Sequence, residues 1–327
     1  MTTPERIEEE KQKNRKAILR LREEVGDALA DYQDKQSLSI TAEEAYRIVC
    51  DEKASGRKAI PTIPIWDDRF GPLRPGNLYV VAGYPGAGKT SLALNMAWAI
   101  AQHDKLWFCC LEMEPGEVLS MMAPIACPDT PIEDQDALLT KAYAVIQPTG
   151  MRFSRIPGSR DWKAMFKSII RTAEMEKVKV LFIDNFMYLT RATKDVLAVE
   201  GIVSMGLKQE AQRLGIPIVL LHHLRKPDSD DIEPEPGAHA MRGSGALHAD
   251  ASAVAILHHP LIKGEGETYS TRHPVGYISV AKNRWGGGGK KYVRLDGERH
   301  TYSPASTYEY PHPTKQKGGR RSEADQR

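Results

Sequence analysis

The chain has 327 residues, which suits one large domain, or one domain with a smaller attachment. Lys and Arg number 45 against 43 Asp and Glu, so no global basic field argues for nucleic acid, and none argues against a local one. Cys50, Cys109, Cys110 and Cys127 match no metal-site spacing, the N-terminus is no secretory signal, and the apolar runs fall short of a bilayer span; a reducing, cytoplasmic setting without membrane contact is expected.

Residues 5–33 carry Ile18, Leu21, Val25 and Leu29 at helical spacing with charges between them, which predicts an amphipathic arm. Thr41 followed by Glu44 has the form of a capping box. It starts a short helix to about Ser55, with Ala45, Ile48 and Val49 as the apolar face. Residues 1–60 thus read as a short helical N-terminal region and linker. Gly and Pro at intervals over 56–76 mark the linker into the main domain. From about 61 to 303, strand-like runs alternate with helical ones, the pattern of a parallel α/β fold. Strands are expected at 78–82, 106–111, 178–183, 216–221, 253–257 and 277–281. Helices are expected at 90–101, 115–122, 162–176 and 198–214. The glycine run at 286–289 reads as a flexible turn into an edge strand over 290–295. Residues 304–327, rich in Pro, Lys, Arg and Gly, predict a disordered or loosely attached tail.

The chemistry concentrates after the first strand. Gly83, Tyr84, Pro85, Gly86, Ala87, Gly88, Lys89 and Thr90 fit the P-loop pattern completely, between a strand and a helix that continues with Ser91. The glycines let backbone amides converge on phosphates, and the helix start adds amides and a positive dipole end. Lys89 is expected to reach the β- and γ-phosphates and Thr90 to hold Mg²⁺, which makes ATP and Mg²⁺ the expected cofactors. Asp184 ends the apolar run at 178–183 and takes the second magnesium-holding position. Glu112 ends the strand that follows the P-loop helix, on the sheet edge that faces nucleotide. It is the first candidate for the base that activates water, with Glu114 second.

The order of these motifs resembles the C-terminal motor domain of replicative hexameric helicases of the DnaB type over roughly residues 61–300. It is also similar to RepA-like plasmid helicases and phage helicase domains. The resemblance implies an α/β fold with a RecA-like P-loop NTPase core and a mostly parallel central sheet. Ile63-Pro64 and Phe70-Gly71-Pro72-Leu73-Arg74-Pro75-Gly76 resemble the family's lead-in, and Leu111-Glu112-Met113 falls where the family places its catalytic glutamate. Glu200, Leu207, Lys208 and Ala211 resemble the helix after the Walker B strand. Leu220-Leu221-His222-His223 resembles the strand whose polar tip senses the γ-phosphate, a role that falls by position on His223. The stretch from Met241 to Ala251 resembles the segment leading from a DNA-facing loop into the next helix. Val280-Ala281-Lys282-Asn283-Arg284-Trp285-Gly286 resembles the basic finger, in which Lys282 and Arg284 reach the γ-phosphate held by a neighbouring subunit. Strand alternation puts those two side chains on one face. The family implies a homo-oligomeric ring, a hexamer, with single-stranded DNA through its centre. ATP hydrolysis then drives 5′ to 3′ translocation and duplex unwinding.

Two features depart from that pattern. The region before residue 61 stands where the bacterial family carries a larger domain; its 18–29 stripe is expected to pack on the next subunit. Arg225 and Lys226 are followed by Asp228, Asp230, Asp231, Glu233 and Glu235, an acidic run that repels phosphate. Arg191, Lys194, Arg225 and Arg242 are the candidate contacts to DNA, all of the non-specific, backbone-gripping kind. Two other readings stay open: a RecA-fold ATPase that loads or regulates a replication or mobile-element partner, and a RecA/RadA-like recombination ATPase.

Overall fold

Alternation of side chains along each strand divides the core into two apolar layers, one on each side of a single large sheet. The computed structural model describes residues 41–54, 58–154, 161–190, 193, 195–224, 234–236, 245–262 and 270–311. The amphipathic arm at 5–33 lies outside them.

Five parallel strands carry the centre: β1 (Leu78–Gly83), β2 (Leu106–Cys110), β4 (Val180–Asp184), β5 (Ile218–His223) and β6 (Ala253–His258). A two-residue strand, β3 (Arg152–Phe153), adds in parallel beside β2. On the other flank, β9 (Val275–Asn283), β10 (Lys290–Asp296) and β11 (Thr301–Pro304) extend the sheet with antiparallel pairing. The order is β11-β10-β9-β6-β1-β5-β4-β2-β3. A small separate hairpin pairs β7 (Leu261–Ile262) with β8 (Thr271–Arg272). This is the mostly parallel sheet of a RecA-like P-loop NTPase.

Tyr79 and Val81 of β1 point into one layer and Leu78, Val80 and Ala82 into the other. The first layer is closed by α2 (Pro64–Phe70), α3 (Lys89–Ala101), α4 (Pro115–Ala126) and α5 (Gln135–Ile146). The second is closed by α6 (Trp162–Met175) and α8 (Val196–Leu214). Two short helices, α7 (Met187–Thr190) and α9 (Gly245–Asp250), follow β4 and precede β6.

Several expectations need correction. The stretch read as a linker contains α2, which has Pro at its first position and buries Ile65, Trp66 and Phe70. Trp66 stacks on Phe70 with ring centroids 4.3 Å apart, so this segment belongs to the core. The capping box at Thr41 does form: Glu44 N–H donates to Thr41 Oγ1 at 3.2 Å and Thr41 N–H to Glu44 Oε2 at 2.6 Å. The helix it starts, α1 (Ala42–Ala54), nevertheless leaves Tyr46, Ile48 and Val49 exposed. Strand β10 is not the edge, because β11 pairs along its outer side. Beyond β11, Tyr310 packs against Tyr277 and Tyr292, so the described part of the expected tail is attached. Cys109 and Cys110 are buried strand thiols, pushed up to about 12 and about 11 by that burial. Among the described residues no cluster of His, Cys, Asp and Glu could hold a metal ion on its own, and no helix is long and apolar enough to cross a membrane.

Candidate active site

The phosphate site forms where β1 stops. Its last residue, Gly83, has no room for a side chain: a Cβ there would lie 2.6 Å from the Leu257 carbonyl oxygen. The chain then turns through Gly86 and Gly88 at φ of 72° and 86°, values that L side chains rarely adopt, and enters α3 at Lys89. The result is a loop of backbone ending on a helix start, the arrangement that binds phosphate groups. Pro85 and Ala87 complete the loop, while Tyr84 turns its ring inward and is 4% exposed. The Tyr84 hydroxyl donates to the Pro234 carbonyl at 3.3 Å, so this ring is a wall of the loop.

Lys89 is buried, and its Nζ donates to the Tyr84 carbonyl at 2.9 Å and lies 3.2 Å from His223 Nδ1. Parallel pairing explains the second contact, since Gly83 of β1 is opposite His223 of β5. Thr90 Oγ1 donates to Asp184 Oδ2 at 2.7 Å across the same strand ends. This hydroxyl and carboxylate form a pair of hard oxygens at the foot of the loop, which suits Mg²⁺. Burial pushes the Asp184 carboxyl up to about 6, against the Thr90 hydrogen bond that favours the charged form. A bound cation would offset that burial cost.

Glu112 stands beyond the end of β2, where Asn185 Nδ2 donates to its Oε2 at 2.5 Å. The same oxygen is 3.7 Å from His223 Nε2. Lys89, His223, Glu112 and Asn185 therefore form one continuous polar line over the strand ends. Burial, and then the Lys89 charge, hold His223 below its ordinary value, so it faces the site as a neutral imidazole. Its neighbour His222 is buried against Phe186 and is lowered to about 4 by burial. Glu114, the second candidate base, is engaged elsewhere: it is the N-cap of α4 and shares a reciprocal capping box with Glu117.

Three further residues surround the loop without a local sequence signal. The Tyr302 hydroxyl donates to the Gly88 carbonyl at 3.3 Å. His300 Nδ1 is 3.3 Å from Ser91 Oγ. Arg272 of β8 donates to the Pro85 carbonyl at 2.6 Å. All three come from the antiparallel flank or the small hairpin, which fold back over the P-loop.

Lys282 and Arg284 lie elsewhere. Asn283 pairs with Ala253, and Ala253 with Tyr79 near the start of β1, so the basic motif sits at the edge of the sheet opposite the P-loop. Lys282 Nζ donates to the His248 and Ala249 carbonyls, each at 2.7 Å, and so caps the end of α9. Arg284 is exposed beside a cavity of about 570 Å³ that Arg74, Lys208 and Trp285 also line. On the sequence Arg74 sits close to the nucleotide motif; in space it is at this far edge. Lys208 is held by the Gly76 carbonyl, Asn77 Oδ1 and Ser252 Oγ at 2.9, 3.2 and 3.3 Å. Glu200, Leu207 and Ala211 are buried within α8. The four candidate DNA contacts, Arg191, Lys194, Arg225 and Arg242, lie outside the described residues, as does the acidic run up to Glu233.

A sequence model of the family described as DnaB-like helicase C terminal domain matches residues 64–303. A "Probable plasmid replicative DNA helicase" of Chlamydia trachomatis is 26% identical over 230 residues, covering 67% of this chain and 49% of that protein. The "Replicative DNA helicase DnaB" of Treponema pallidum is 26% identical over 206 residues, covering 59% of this chain and 46% of that one. The chain thus spans about half the length of the curated relatives it matches. A solved structure described as an ATPase domain superposes with a TM-score of 0.64 at 18% identity, over 82% of this chain and 100% of that one. Another, described as a DnaB-like replicative helicase and its interactions with primase, gives a TM-score of 0.60 at 16% identity, over 90% and 77%. Motifs, fold and family match agree, and the chain belongs to the DnaB-like helicase C-terminal domain family.

Proposed function

We propose that the protein is an ATP-hydrolysing motor that translocates on single-stranded DNA and unwinds duplex in the 5′ to 3′ direction, as a ring of six copies. Family membership supports the ATPase core. The observation that carries the oligomeric part is the separation of the two halves of the catalytic set. The P-loop leaves the C-terminal end of β1, while the Lys282–Arg284 motif borders its N-terminal end, about 17 Å away by strand rise. Arg284 cannot reach nucleotide on its own chain across that distance. A second copy, presenting its P-loop to this edge, would receive the guanidinium. The exposed, adjacent Ile48 and Val49 of α1 offer apolar surface for a neighbouring subunit.

In this reading the P-loop amides and Lys89 hold the ATP phosphates, and Thr90 and Asp184 would hold Mg²⁺, which would supply positive charge to offset that of the phosphates. Glu112 accepts a proton from the attacking water, oriented by Asn185. His223 links Glu112 to Lys89 and senses whether the γ-phosphate is present. Arg284 stabilises transition-state charge from the next subunit. Arg191, Lys194, Arg225 and Arg242 grip the DNA backbone.

The test is the ATPase rate with and without single-stranded DNA across salt, with assembly state recorded in the same buffer. Strong stimulation that fades as salt rises, from a closed oligomer, supports the DNA motor. Hydrolysis indifferent to DNA would refute it and favour a RecA-fold ATPase that regulates a protein partner. The acidic run from Asp228 to Glu235 favours that second reading. In the same assay Arg284→Ala should lower turnover about a thousandfold while sparing nucleotide binding.

A further inference from the structure

The turn that bears Arg284 is braced by the lead-in segment before β1. Trp285 has two partners: its ring stacks on Tyr79 with centroids 5.8 Å apart and an interplanar angle of 30°, and the Arg74 guanidinium sits 4.6 Å from its centroid. Tyr79 is itself fixed, since it is fully buried and its hydroxyl accepts the Arg74 backbone N–H at 2.7 Å. The turn is held at both ends as well. Arg284 N–H donates to the Ser252 carbonyl at 3.0 Å, and Trp285 N–H donates to Asn283 Oδ1 at 3.2 Å. Asn283 Nδ2 donates in turn to the Arg69 carbonyl at 3.1 Å, and a Cβ on Gly287 would lie 3.1 Å from that same oxygen.

We propose that Trp285 is a positioning residue for Arg284. Held by Tyr79 and Arg74, the indole fixes the turn to the lead-in segment after α2 and to the start of β1, so that the Arg284 guanidinium is presented at one fixed place on the edge of the subunit. The physical reason is entropic. Arg284 is exposed, and no hydrogen bond or ion pair of its guanidinium is present among the described residues. Its long side chain therefore gains direction only from the backbone that carries it. A small misplacement of a charge that must meet a phosphate on another chain costs rate without changing how either chain binds nucleotide. The proposal rests on Arg284 acting in trans.

The experiment measures kcat and KM for ATP on the assembled full chain, with nucleotide binding measured separately, for Trp285→Leu, Trp285→Phe, Arg74→Gln, Arg284→Ala and the double variant Trp285→Leu/Arg284→Ala. Trp285→Leu is expected to lower kcat by about a hundredfold with KM and binding within about twofold, since a displacement of about 1 Å is enough for such a loss. Trp285→Phe restores most of it by keeping the ring. Arg74→Gln, which leaves the core untouched, lowers kcat about threefold, the worth of an exposed cation–π contact. The double variant is no slower than Arg284→Ala, because a misplaced finger and an absent one are equivalent. A double variant slowed by the product of both losses, or a Trp285→Leu protein with normal kcat, overturns the proposal. If Trp285→Leu does not fold, Arg74→Gln at normal kcat overturns it. An Arg284→Ala protein that hydrolyses normally overturns the trans finger itself, a different failure from normal turnover in Trp285→Leu alone.

Discussion

Replacing Gly88 with alanine perturbs the P-loop in a way whose size follows from its surroundings. Gly88 has φ of 86°, and a Cβ at this position would run into the Tyr302 hydroxyl and lie 2.9 Å from Leu295 Cδ2. Left-handed backbone for alanine costs about 1–2 kcal/mol, forced overlap in a packed site about 1–3, and loss of the Tyr302 bond to the Gly88 carbonyl about 1, so Gly88→Ala should destabilise the nucleotide-free protein by about 3–6 kcal/mol. Tyr302→Phe alone should cost about 1 kcal/mol. With the hydroxyl removed, the Tyr302 ring carbon at 3.5 Å is an ordinary contact, and only the flexible Leu295 terminus remains close. Gly88→Ala should therefore cost about 2 kcal/mol less in the Tyr302→Phe background than in the wild type. Urea unfolding of the four proteins measures this coupling. Equal costs in both backgrounds, or a Gly88→Ala cost near zero, would refute the reasoning.

The remaining predictions concern the polar line over the strand ends and the buried histidine beside it. Glu112→Gln should lower kcat by about 10²- to 10⁴-fold with ATP binding retained. Glu114→Ala should leave turnover unchanged and cost about 1 kcal/mol of stability as a lost cap; slow turnover here would reverse the assignment of the base. Lys89→Met should abolish nucleotide binding and raise the His223 titration point, read by NMR, because the Lys89 charge depresses it. His222 has a folded-state pKa of about 4 against an ordinary 6.5, so its neutral form stabilises the fold above pH 6.5, and that contribution is lost as pH falls through 4. The gap is worth about 3 kcal/mol, and His222→Leu should flatten the loss of stability between pH 6.5 and pH 4, followed by chemical denaturation.

The phosphate site is legible in the sequence because its parts are contiguous. A glycine turn between an apolar strand and a helix dictates its own geometry, Asp184 is marked as the carboxylate that ends an apolar run downstream of it, and His223 is reached through the family resemblance; parallel pairing brings both to the P-loop. Helix α5 carries signals of its own that the expected elements above do not include: Asp134 caps it by accepting from Ala137 N–H, and Leu138, Ala142 and Ile146 recur every fourth residue on its buried face. Helix α2 is hidden by Gly and Pro on both sides, and only its aromatic pair betrays that it is packed. Strand β11 is four residues long, too short for periodicity to register. The enclosure of the P-loop by Arg272, His300 and Tyr302 is not legible at all, since it depends on how an antiparallel flank folds back over a loop some 200 residues earlier. Glu112 and Glu114 are two positions apart and alike in type; in space Glu112 meets Asn185 and His223, while Glu114 is engaged in the capping box of α4.

Strand β1 is paired along its length with β5 on one side and β6 on the other. A strand held on both flanks can neither stretch nor slip by a residue without breaking a ladder of hydrogen bonds. The P-loop and the turn built on Tyr79 and Trp285 thus lie toward the two ends of one strand held on both sides. A displacement imposed at the Gly83 end would be passed toward the other end more as through a link in a chain than through a spring. In an assembly of copies joined end to end by such strands, the compliance would have to reside in the joints, and a stroke begun at one nucleotide would be felt first by the next copy along.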